Sequence, residues 1–172
     1  MIRNYFTYLF MFILLVMTQS LLLNNIEFGG FINPYLYILL ILALPFETNE
    51  NLLLIIAFFL GLSIDIFNST LGMHTSATVF MAFCRKYILK IISPRDRYDF
   101  DAKPNIQYMG VSWYMTYSIF LILCHHLFLF YVETFSFSKF FSTLARVLLS
   151  SAFTLILILI SQLFNYNPNV RK

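Results

Sequence analysis

Charge is scarce in this chain: Asp, Glu, Lys and Arg make up 11% of 172 residues, against 60% apolar residues. A soluble domain of this length has too little interior to enclose so much Leu, Ile and Phe. A water-soluble globule is therefore excluded, and lipid is the solvent that fits the composition. Cysteine is nearly missing. Cys84 and Cys124 lie inside apolar stretches and form no C-x-x-C, so neither a disulfide framework nor a metal site is expected. No internal repeat or low-complexity tract interrupts the chain. There is no G-x-S-x-G, no H-E-x-x-H, no Walker motif and no paired Asp on one helix face, which disfavours an enzyme, intramembrane proteases included. The net charge of +3 is placed between apolar stretches and not on one exposed face. That placement argues against nucleic-acid binding and points to membrane topology.

What is present is a series of six apolar stretches, at about residues 5–23, 33–46, 52–67, 71–92, 111–132 and 140–164. They predict an all-α membrane protein, a six-transmembrane-helix bundle forming a single integral membrane domain over residues 1–172. The first stretch follows Arg3 but is as long as a span, and no small-residue cleavage site follows it, so it is read as a helix and not as a signal peptide. Asn33-Pro34 predicts the start of the second helix. The polar break at 47–51 predicts a tight hairpin, and Asn68-Ser69-Thr70 with Gly72 predicts another turn. The second and third stretches would reach only ~24 Å as helices, short of a ~30 Å hydrocarbon layer. Local thinning or borrowed turn residues would make up the difference; a re-entrant pair is the competing reading.

Lys and Arg set the orientation. With six spans both termini share a side, and that side collects Arg3, Arg85, Lys86, Lys90, Arg95, Arg97, Lys103, Arg171 and Lys172. Only Lys139 falls on the other side, and Arg146 lies within a span. The termini and the 93–107 loop are therefore expected on the cytoplasmic side. Within that loop, Arg95, Asp96 and Arg97 are a candidate docking point for a cytoplasmic partner, and the bland alternative is a solvated, headgroup-facing loop.

Ionisable groups at membrane depth are costly and each needs a reason. Asp65, His74, His125, His126 and Arg146 all fall in the half of the bundle away from the basic loop. Asp65 and Arg146 have opposite sign and similar depth, which predicts a buried ion pair. Ala57, Gly61, Asp65 and Asn68 share one helix face, and Ala57-x-x-x-Gly61 is a small-xxx-small pattern that permits close helix approach. Thr143, Arg146, Ser150, Thr154 and Ser161 form a matching polar stripe. One reading is that the pair simply holds the bundle together. The other is a pocket lined by Asp65, His74, His125 and Arg146 that takes a ligand or a partner's helix. His125 and His126 point ~100° apart on a helix and cannot jointly chelate one metal from one face; no metal or cofactor is expected.

Gly61-Leu62, Asp65 and Leu71-Gly72-Met73-His74, followed by Phe83 to Arg97 ending Ile91-Ile92-Ser93-Pro94-Arg95, give the chain a resemblance to the MreD family of rod shape-determining membrane proteins. The resemblance implies a non-catalytic scaffold of the cell-elongation (peptidoglycan synthesis) complex in the inner membrane. It implies an MreC-like partner and, through it, MreB, RodA and a penicillin-binding transpeptidase. It also implies a fold similar to the substrate-binding subunits of energy-coupling-factor transporters, with Gly61, Asp65 and Gly72 as the carried-over positions. A second class of function is a solute-binding membrane subunit of a transporter with an outward-facing pocket.

Overall fold

The computed structural model describes residues 2–25, 31–93, 98 and 103–164. Among these, the regular elements are helices and no β-strand occurs. In chain order they are α1 (Ile2–Leu21), α2 (Leu39–Ala43), α3 (Glu50–Asn68), α4 (Met73–Ile91), α5 (Ile106–Met109), α6 (Val111–Thr134) and α7 (Phe140–Phe164), with short 3₁₀ turns at Leu23–Asn25, Leu36–Ile38 and Phe137–Lys139. Four helices are long and apolar enough to cross a membrane: α1, α3, α6 and α7. α4 has the same length as α3 but is more polar, because it carries Arg85, Lys86 and Lys90. Large apolar side chains such as Phe10, Ile13, Phe59, Leu148 and Ile156 face outwards from these helices, as they do where lipid replaces water.

The expected membrane-length helix over 33–46 does not form. Residues 33–35 are unwound, a 3₁₀ turn and the short α2 follow, and Leu44 is extended at φ −61°, ψ 143°. Proline explains both ends. Pro34 and Pro45 have no N–H to give a helix, and each disfavours helical geometry in the residue before it. Yet the segment is deep: Pro34, Tyr35 and the run Tyr37 to Leu42 are all buried. Non-helical backbone can lie this deep only if other groups satisfy it, and here side chains do. Ser150 accepts from the Asn33 amide at 3.1 Å and Thr154 from the Tyr35 amide at 3.0 Å. Gln19 accepts from the Leu36 amide at 2.8 Å and donates to the Pro34 carbonyl at 3.0 Å.

The far end of this segment is closed by Arg85, 2% exposed. Its guanidinium donates to the carbonyls of Leu44 (2.5 Å) and Pro45 (3.3 Å) and to the Tyr117 hydroxyl (2.7 Å). A cation at the carbonyl end of a helix is favoured by the helix dipole. At the same end Lys86 pairs with Glu50 at 2.8 Å, Phe46 stacks on Tyr98, and Trp113 meets both rings edge-on. Arg95, Asp96 and Arg97 lie outside the described residues.

The Ala57–Gly61 pattern does bring helices together, within this chain. A Cβ on Gly61 would sit 2.7 Å from the His74 carbonyl oxygen and from the Thr75 amide nitrogen, so α3 and α4 touch backbone to backbone. Part of the polar stripe of α7 is also used internally, Arg146, Ser150 and Thr154 contacting the unwound segment.

Candidate functional site

Asp65 sits one turn beyond Gly61, and the close approach that Gly61 permits carries its carboxylate to the start of α4. Oδ1 accepts from the His74 amide at 3.0 Å and from Thr70 Oγ1 at 2.5 Å. Oδ2 accepts from the Thr75 amide at 2.8 Å and from Thr75 Oγ1 at 2.5 Å. Gly72, at φ 78°, caps α4 by position but has no side chain to do so. His74 and Thr75 are the second and third residues of that helix, the amides an N-cap side chain normally satisfies. Asp65 is thus an N-cap supplied from a neighbouring helix, and its charge complements the positive end of the α4 dipole.

The expected Asp65–Arg146 ion pair does not form. All four Asp65 contacts are to residues 70–75, and Arg146 turns elsewhere. Its guanidinium donates to Glu133 Oε1 at 3.0 Å and to Asn33 Oδ1 at 3.2 Å, and lies over the Phe130 ring at 4.3 Å. The reason is local: four uncharged donors at the helix start satisfy the carboxylate, so it needs no cation, and Glu133 is the acid nearest the guanidinium's reach.

The histidines do converge with Asp65, through His74. Tyr37, fully buried at 0% exposure, places its hydroxyl 3.1 Å from His74 Nδ1 and 2.7 Å from His125 Nε2. One phenol has one proton, so Tyr37 donates to one imidazole and accepts from the other. The chain of contacts runs on towards the α3–α4 turn. His74 Nε2 lies 3.5 Å from Asn68 Nδ2, Asn68 Oδ1 accepts from Asn24, and Asn24 Oδ1 accepts from Gln19 at 2.9 Å. At its other end His125 Nδ1 is buried without a partner. His126 is separate. Its Nδ1 faces the Ile122 carbonyl at 2.9 Å and so carries the proton, which leaves Nε2 to accept from Thr154 at 3.2 Å. Tyr35 is wedged among His74, His125 and His126 with ring centroids 5.2–6.0 Å apart.

Of the residues singled out from sequence, the structure therefore unites Asp65, His74 and His125, sets Ala57, Gly61 and Gly72 beneath them as packing and turn positions, and leaves Arg146 apart. Tyr37, Gln19, Asn24 and Thr75 are partners in this network that the sequence reading passed over, and Asn33 and Arg85 were read there only as a helix start and a topology marker. One signal for Arg85 was present: His74, Thr78, Met81, Arg85 and Leu89 recur at helical spacing and are all buried, so Arg85 belongs to the inward stripe of α4 and not to the solvated basic cluster. Two polar cavities open at this end of the bundle. One, of about 190 Å³, is lined by Asn24, Asn33, Tyr35 and Asn68. The other, of about 470 Å³, is lined by Glu133, Lys139, Thr143 and Arg146 among others. Compared with known protein families, curated proteins and solved structures, the chain matches none.

Proposed function

We propose that this chain is a non-catalytic scaffold of the bacterial cell-elongation complex, of the MreD kind, that holds the membrane helix of an MreC-like partner. MreB, RodA and a penicillin-binding transpeptidase would be coupled through that partner. One observation carries the reading. The ionisable groups set deepest in the bundle each serve the chain's own structure: Asp65 caps α4, Arg85 closes the end of α2, and His74 and His125 clasp Tyr37. That is the interior of a holder and not of a reaction centre. It also speaks against a transporter pocket built from Asp65, His74, His125 and Arg146, since the first three are enclosed and the fourth faces a different cavity.

On this reading the chain makes six passes in a layout like the energy-coupling-factor subunits, the second pass being the partly unwound 33–46 segment. Unwinding raises the advance per residue from ~1.5 Å to ~3.3 Å, which lets a short segment reach across. Both termini and the Arg85–Lys86 end face the cytoplasm. The partner helix would lie on the lipid-facing groove between α6 and α7, an apolar hollow of about 190 Å³ whose floor includes Ser151 and Ala152. Small residues let helices approach in lipid, and the Ser151 hydroxyl is buried without a partner. The test is co-purification from membranes with a tagged MreC. Ala152→Trp should fill the groove and lower recovery about tenfold at unchanged membrane yield. Equal recovery removes the groove, and a host that stays rod-shaped on depletion of the chain removes the elongation role.

A further inference from the structure

The turn between α6 and α7 holds a site of mixed charge. Glu133 stands at the end of α6, Lys139 just before α7 and Arg146 about two turns into it, and all three line the cavity of about 470 Å³. That volume is within the range of small-molecule sites. Three features mark it as incomplete. Lys139 is exposed and forms no ion pair among the described residues. Glu133 meets Arg146 through Oε1 and keeps 38% of its side chain exposed. Arg146 Nε is buried without a partner.

Depth and charge narrow the occupant. α6 and α7 have 24 and 25 residues, or about 36 Å as helices. That exceeds a ~30 Å hydrocarbon layer, so the turn joining them lies at the level of lipid headgroups. The cavity carries two positive charges and one negative. A purely anionic group would face Glu133, and a purely cationic one would face Lys139 and Arg146; a group bearing both signs is complementary to all three. We propose that this cavity binds a zwitterionic aminophosphate, with its phosphate on Lys139 and Arg146 and its ammonium on Glu133. The chemistry is that of a phosphatidylethanolamine headgroup or of free phosphoethanolamine. Asn33, which holds Arg146 at 3.2 Å, also lines the neighbouring cavity, so the guanidinium is held in place before any ligand arrives. The site uses none of the groove residues and is independent of the scaffold reading.

Native mass spectrometry of the delipidated full chain tests it, with phosphatidylethanolamine, phosphatidylglycerol and diacylglycerol offered in equal amounts. Phosphatidylethanolamine should be retained best. Lys139→Gln should lower its retention about tenfold, the worth of one charge-assisted hydrogen bond. Glu133→Gln keeps an acceptor for Arg146 but should abolish the preference for phosphatidylethanolamine over phosphatidylglycerol. Retention of diacylglycerol to the same degree, or no change in either variant, overturns the proposal. Melting of the same proteins with soluble O-phosphoethanolamine separates the sources. A rise for the wild type that Lys139→Gln lacks supports the free aminophosphate as occupant, while lipid retention without such a rise supports the headgroup. Absence of both responses overturns the site, and the melting curves confirm that both variants are folded.

Discussion

Replacing Gly61 with alanine adds one methyl group to a helix that is otherwise apolar and intact, yet it should be among the most damaging small changes available. The new Cβ would meet the Thr75 Cα and lie 2.7 Å from the His74 oxygen and the Thr75 nitrogen. Those are backbone atoms, so no side chain can swing aside; α4 itself must move. Ordinary contact begins at 3.4 Å, which requires a shift of at least about 0.7 Å, since the Thr75 Cα is nearer still. The Asp65 carboxylate spans the same gap. Its 2.8 Å bond to the Thr75 amide would stretch to about 3.5 Å, beyond a useful hydrogen bond. Overpacking of this kind costs about 1–3 kcal/mol, and each charge-assisted bond lost costs roughly 1.5 kcal/mol more. The expected loss of stability is thus about 3–5 kcal/mol. Equilibrium unfolding of the purified protein in mixed micelles measures it, alongside Asp65→Asn and the double variant. Because one displacement causes both losses, the double variant should be less destabilised than the sum by about 1 kcal/mol or more. A Gly61→Ala protein within ~0.5 kcal/mol of wild type, or strict additivity with Asp65→Asn, would refute the coupling of close approach to capping.

Arg85→Leu should cost roughly 2–5 kcal/mol in the same assay, because the Leu44 and Pro45 carbonyls lose their donor in a dry interior. Arg85→Lys should recover only part of that, since an ammonium cannot reproduce the fork that reaches Tyr117 and both carbonyls at once. Tyr37→Phe should destabilise by about 1–3 kcal/mol by leaving the facing nitrogens of His74 and His125 unpartnered. The imidazole nitrogen resonances of those two histidines, and not those of His126, should move in the ¹⁵N spectrum of the variant.

The helices that advertise themselves by apolar length were visible in the sequence. The stretches at 52–67, 71–92, 111–132 and 140–164 fall within two residues of α3, α4, α6 and α7 at every boundary. The 33–46 stretch was misread as a plain helix because hydropathy reports burial, and this segment is buried, but burial does not say what satisfies the backbone. The pairing of Asp65 with Arg146 failed for a related reason. Opposite charge at equal depth is a weak restraint when uncharged donors lie closer, and the amides of His74 and Thr75 are invisible to any residue-type pattern. Gly61, Asp65 and Gly72 were singled out on other grounds; the arrangement that joins Gly61 and Asp65, a close approach that lets a carboxylate cap the next helix, needed three dimensions.

The unwound segment gives one cause to several otherwise separate oddities. Gln19, Ser150, Thr154 and Arg85 are polar residues in an apolar bundle, and each would be costly there alone. Each contacts the backbone between Asn33 and Pro45. They come from α1, α4 and α7, so the segment acts as a central tie whose peptide groups bind three helices that have little hydrophobic reason to associate in lipid. His74 and His125 extend the tie from α4 to α6 through Tyr37, which is part of the same segment. Removing a tie member should therefore loosen helices that it does not touch. A simple apolar bundle would show only local effects, and that difference separates a frame built to present a fixed lipid-facing surface from helices that merely share a membrane.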